Sequence, residues 1–124
     1  MAVSYLLDGS LLRMELAGSY EPEDVVRVFL AAIADPACPD PVALLVDVTR
    51  SESLAGRSPS QIRFVAESLG PHVKRIKGRC AVVAVEDLHF GLGRMGSVYS
   101  EGVGVEAAIF REEEAARRWL GAYT

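Results

Sequence analysis

The run "VALLVDV", residues 42–48, holds six apolar residues in seven and shows no polar alternation. A strand with one wet face alternates, so an unbroken aliphatic and β-branched run reads as a strand buried on both faces, the mark of a parallel sheet covered by helices. A second run of the same kind, "CAVVAV", occupies residues 80–85. Parallel strands need a crossover, and the segment between these two supplies one. Ser58-Pro59-Ser60-Gln61 has the form of a capping box, after which Ile62, Val65, Ala66 and Leu69 recur at helical spacing until Gly70-Pro71.

The pattern extends in both directions. Upstream, Pro22 opens a helix whose first turn carries Glu23 and Asp24 and whose stripe is Val25, Val26, Phe29, Leu30 and Ile33, stopped by Pro36. Before it, residues 3–8 and 11–17 flank Asp8-Gly9-Ser10 and predict an antiparallel hairpin. Downstream, "VEAAIF" (105–110) predicts a short strand and "EEEAARRWLGAY" (112–123) a last helix. The order is β-β-α-β-α-β-α-β-α, an α/β fold with a mixed β-sheet and an N-terminal antiparallel hairpin, in a single domain over residues 1–124.

Composition bounds the function. The chain has 124 residues, half of them hydrophobic and about a quarter charged, as in ordinary globular domains. Its formal net charge of −4 argues against non-specific nucleic-acid binding, which needs a basic surface. The apolar runs are far shorter than the roughly 20 residues of a membrane helix, so no stable membrane insertion is expected. The first residues lack a basic segment and a small-residue cleavage site, which predicts a cytoplasmic protein. Cys38 and Cys80 are expected to be free thiols there.

The most suggestive chemical motif is "HFGLGRMG" (89–96), where Gly91, Gly93 and Gly96 match the G-x-G-x-x-G spacing of dinucleotide-binding loops. That motif works when its first glycine turns the chain directly after a strand and the helix N-terminus faces the pyrophosphate. Here five residues separate Val85 from Gly91, and Glu86 and Asp87 would repel a phosphate. We therefore expect no cofactor. The segment reads instead as a helix N-capped by Asp87, with Leu88, Leu92, Met95 and Tyr99 as its apolar stripe. Its glycines suit close packing on a neighbour or a loosened, opening helix.

No catalytic constellation emerges: His72 and His89 have no metal spacing, and no G-x-S-x-G elbow or P-loop is present. The chain is thus read as non-enzymatic, with catalytic, metal and cofactor residues all absent. Serines instead cluster in "TRSESLAGRSPSQ" (49–61), where Ser58, at a helix start, suits either an ordinary N-cap or a phosphorylation switch, with Ser60 and Ser53 as further candidates and loop solvation the plain role for Ser51 and Ser53.

The hairpin, the run "LLVDVT" (44–49), the serine loop before a capped helix, the strand "CAVVAV" and the ending "IFREEEAARRWL" (109–120) together resemble the STAS fold, and within it the SpoIIAA-like, anti-sigma factor antagonist-like proteins of bacteria. The resemblance implies two functions. One is an apolar small-molecule carrier or sensor, lipid-like in its ligand, whose second and third helices part over the core. Its ligand would meet Ile62, Phe64, Val65 and Leu69 on one helix, and Leu88, Phe90, Leu92, Met95 and Tyr99 on the other. The alternative is a partner-switching regulator with a kinase-like or anti-sigma protein partner, phosphorylated on a serine near a helix start. The Asp-Ser pair of those regulators is missing, and Ser58 is its nearest counterpart. The open edge of the hairpin also leaves room for a homodimer.

Overall fold

A computed structural model describes residues 2–121. The predicted hairpin is β1 (Val3–Asp8) and β2 (Leu11–Gly18), antiparallel, with Gly9 at φ 59° as the first of the two turn residues. Only Gly9 needs positive φ, as in a two-residue turn that begins with glycine. Then follow α1 (Pro22–Ala34), β3 (Ala43–Ser51), α2 (Pro59–Glu67), β4 (Arg79–Val83), α3 (Asp87–Glu101), β5 (Glu106–Phe110) and α4 (Glu113–Leu120). Short 3₁₀ turns at Leu54–Gly56, Gly70–His72 and Lys74–Ile76 shape the connections around α2. The expected element order is observed. Strand β3 runs three residues past Val48, and β4 ends at Val83, short of Val85. The predicted end of the last helix, at Ala122 and Tyr123, lies outside the described residues.

The sheet has five strands in the order β1-β2-β3-β4-β5, all parallel after the hairpin. Each crossover therefore steps to the next strand in the same direction. Right-handed crossovers taken that way place their helices on one face. The packing agrees: Leu12, Met14, Leu44, Val48 and Cys80 cluster with Val25, Val28, Phe29 and Ala32 of α1, and with half-buried Val65 and Leu69 beyond. The alternate residues Leu11, Ala43, Leu45, Ala81 and Val83 face the other way, onto Ala116, Phe110 and Trp119. Adjacent Leu44 and Leu45 are both fully buried, which is why the run 42–48 shows no alternation.

The second face is covered by α4 alone, and its remaining area is ionic. Arg13 of β2 donates to Asp47 of β3 at 2.6 Å and to Glu113 of α4 at 2.9 and 3.0 Å. Arg117 joins Glu113 at 2.9 Å and Asp8 at 3.2 Å. These bonds tie the hairpin, the central strand and the last helix together. The hydrogen bond from Arg13, reinforced by Arg117, holds the Glu113 carboxyl below its ordinary value of 4.5.

Helix α3 corrects the sequence reading in two places. Its N-cap is Glu86, with Asp87 in the first turn. Its buried face carries His89 and Ser100, with Gly93 and Gly96 between them at helical spacing, one residue out of phase with the predicted stripe. Leu88 is exposed, and Leu92, Met95 and Tyr99 are only half-buried. His89 is 3% exposed, and its Nδ1 has no hydrogen-bond partner among the described residues. Small residues explain the phase. A Cβ at Gly93 would stand 3.0 Å from Ile109 of β5, and one at Gly96 would stand 3.5 Å from Ile62 of α2. Close packing is thus observed at two of the three glycines; around Gly91 there is open space.

Two outcomes follow from this packing. Gly91→Ala should stabilise the protein by up to about 1 kcal/mol through helix propensity alone, and Gly93→Ala should gain less or lose stability against Ile109, both read from urea unfolding. Glu113 is more acidic folded than unfolded, so its contribution is present above pH 4.5 and lost as pH falls through the folded value. Glu113→Gln should cost about 1 kcal/mol at neutral pH, a figure discounted for its partial exposure, and the gap to wild type should close in acid.

Candidate functional site

Between the sheet and α1, α2 and α3 lies an apolar cavity of about 150 Å³. Its floor is the inward row of the strands: Met14 and Leu16 of β2, Leu44, Val46 and Val48 of β3, Cys80 and Val82 of β4, and Ala107 of β5. Three alternate residues of β3 take part, so the cavity follows that strand for roughly 13 Å. Burial pushes the Cys80 thiol up to about 12, and it therefore stays neutral as part of an apolar wall.

Helix α2 is the roof, with Gln61, Ile62, Val65, Ala66, Ser68 and Leu69 reaching the cavity from its start to just past its end. The predicted capping box starts this helix: Ser58 Oγ accepts from the Gln61 amide at 3.3 Å and Gln61 Oε1 accepts from the Ser58 amide at 2.9 Å. Only Ala66 of α2 is buried, against five residues of α1. It is thus weakly docked, and Leu92, Gly93 and Gly96 of α3 complete its side of the wall.

Of the expected ligand-contacting residues, Ile62, Val65, Leu69 and Leu92 line the cavity. The other five do not. Phe64 and Leu88 are exposed, Phe90 lies under the Arg111 guanidinium at 4.3 Å, Tyr99 pairs with Arg63 at 5.8 Å, and Met95 is half-buried outside the lining. These positions follow from the one-residue shift in the α3 face and from the outward side of α2.

Sequence reasoning missed Tyr20, Arg57 and Gln61, which join Val48 and Leu54 in a lining that is mainly apolar. Arg57 is only 13% exposed; it donates to the Tyr20 carbonyl and its Cζ lies 5.5 Å from the Tyr20 ring centre. The Tyr20 hydroxyl bonds Ser51 Oγ at 2.6 Å. Burial pushes the Tyr20 phenol up, against the opposing pull of Ser51 and Arg57. The only signal in the chain for Arg57 was its place immediately before the capping box.

The serines divide by role. Ser53 Oγ accepts from the Tyr20 amide at 2.9 Å and is partly buried, so it pins the loop to the start of α1. Ser58 and Ser60 are exposed, with hydroxyls 3.1 Å apart. Cys38 and Cys80 are buried free thiols, as expected. Gly91, Gly93 and Gly96 lie inside α3, beyond the strand–helix corner that a dinucleotide loop would occupy. Among the described residues, no cluster of three or more His, Cys, Asp or Glu could hold a metal ion, and no helix is long and apolar enough to cross a membrane.

No protein-family model and no curated protein matches this chain. Among solved structures it is similar to an uncharacterised protein of the DUF3478 family with a SpoIIAA-like fold, from Shewanella loihica PV-4. The two share 19% sequence identity over 96% of this chain and 92% of that one, with a TM-score of 0.57. At that identity the likeness concerns architecture alone, and it agrees with the resemblance seen in the sequence: this chain has the SpoIIAA-like fold.

Proposed function

We propose that this protein is a non-enzymatic cytoplasmic binding domain, a carrier or sensor that holds a small apolar molecule between its sheet and α2. The observation that carries the reading is the apolar cavity of about 150 Å³ beneath a helix with one buried residue. An apolar void of that size takes a benzene-sized guest, whereas pockets for drug-sized ligands run to about 300 Å³ or more. A compact guest fits the closed form. A longer lipid-like chain requires α2 to lift from α3, and the shallow docking of α2 lowers the barrier to that motion.

A second reading is favoured by the exposed pair Ser58 and Ser60 at the start of α2. A phosphate on Ser58 would break the capping box and change the surface offered to a protein partner, as in a partner switch.

Native mass spectrometry of the protein purified from cells, compared with its denatured mass, tests both. The expected result is extra mass that vanishes on denaturation. Val82→Leu should fill part of the void, reduce that adduct, and stabilise the empty protein by about 0.8 kcal/mol. A bare native mass, together with no shift of the cavity methyl resonances when benzene is added, overturns the carrier. A phosphate retained in the denatured mass would favour the switch.

A further inference from the structure

Resting on the cavity reading, we infer that the preferred guest is a small carboxylic acid, its apolar tail along β3 and its carboxylate at Arg57. The polar groups of the cavity divide into two kinds. The hydroxyls of Ser68, Ser97 and Ser100 each donate to a carbonyl three residues back, at 2.5, 2.6 and 3.1 Å, so their protons are taken up by their own backbone. None of these three hydroxyls is left with a free proton for a ligand.

Arg57 and Gln61 are the other donor-bearing residues of a lining that is otherwise almost wholly apolar. Gln61 turns its Oε1 to the Ser58 amide, which leaves its NH₂ group as the polar part to offer. Arg57 carries five N–H donors and no acceptor, and the Tyr20 carbonyl engages one of its nitrogens. The neighbouring carbonyl is thereby occupied, and the Tyr20 hydroxyl is paired with Ser51. Among the described residues Arg57 pairs with Glu21, at 3.8 Å and 73% exposed, a loose contact that a better-placed anion can replace. A guanidinium fork matches a carboxylate in two parallel hydrogen bonds, and its small exposure strengthens that preference over a neutral group. An alcohol would recover only part of this, and an ammonium would face the cation directly.

The test uses hexanoate, 1-hexanol and hexylamine, titrated separately into the isotopically labelled protein. Methyl shifts at Ile62, Val65 and Leu69 report entry to the cavity. Hexanoate should bind about tenfold or more tightly than hexanol, with hexylamine weakest. Arg57→Gln should erase the advantage of hexanoate while lowering hexanol affinity far less, and Arg57→Lys should keep part of it. The wild-type ranking alone decides the matter if a variant fails to fold. Equal or tighter binding of hexanol overturns the carboxylate inference and leaves the cavity reading standing, as does entry of benzene alone. If neither the three probes nor benzene shifts those methyls, the cavity reading itself falls.

Discussion

After the opening hairpin every crossover steps to the next strand in one direction, and this order decides what each face of the sheet must bury. Three helices accumulate on one face, and the other is left to α4 and its eight residues. A helix of that length cannot cover five strands. The uncovered part is therefore polar, built on Arg13, Asp47 and Glu113, with Arg117 and Asp8 at its margin. Ion pairs exposed to solvent contribute little one by one, but this cluster shares partners and has half-buried members, so it fixes α4 against the hairpin as a unit.

The crowded face has the opposite problem. Three helices share an inward surface made by alternate residues of each strand, and α2 arrives between two 3₁₀-linked connections as the shortest of the three. With Ala66 its only buried residue, it does not follow the sheet closely enough to fill the space below. The void is what remains. Its walls are mainly apolar, and the neighbouring cores of α1 and β5 hold the sheet in place.

The legibility of the chain follows the same division. Strong periodic signals were readable: the doubly buried run at 42–48, the hairpin, and the Ser58–Gln61 capping box all stand where the sequence puts them. Helix α3 was misread in phase because large apolar residues were taken as the buried face. In the fold, close approach to Ile109 and Ile62 selects Gly93 and Gly96 instead, and Leu88 is left outside. Size at the contact, which a hydropathy pattern does not record, overrode hydrophobicity. The pairing of Tyr20 with Arg57 was invisible for a different reason: the two are separated by 37 positions and meet only through tertiary structure.

The two faces differ in the kind of motion they allow. On the ionic face, a displacement of α4 would separate Glu113 from Arg13 and Arg117 from Asp8 together, leaving the partly buried Arg13 with Asp47 and Glu15 of the sheet. On the cavity face, lifting α2 exposes mainly half-buried apolar side chains, and a guest can replace the contacts that are lost. Arg57 is tied to the Tyr20 carbonyl, just ahead of α1, and stands one residue before the N-cap of α2. On the proposed reading, a cation anchored outside the roof would keep its place as α2 is raised, and would meet the polar end of a guest before the apolar tail is covered.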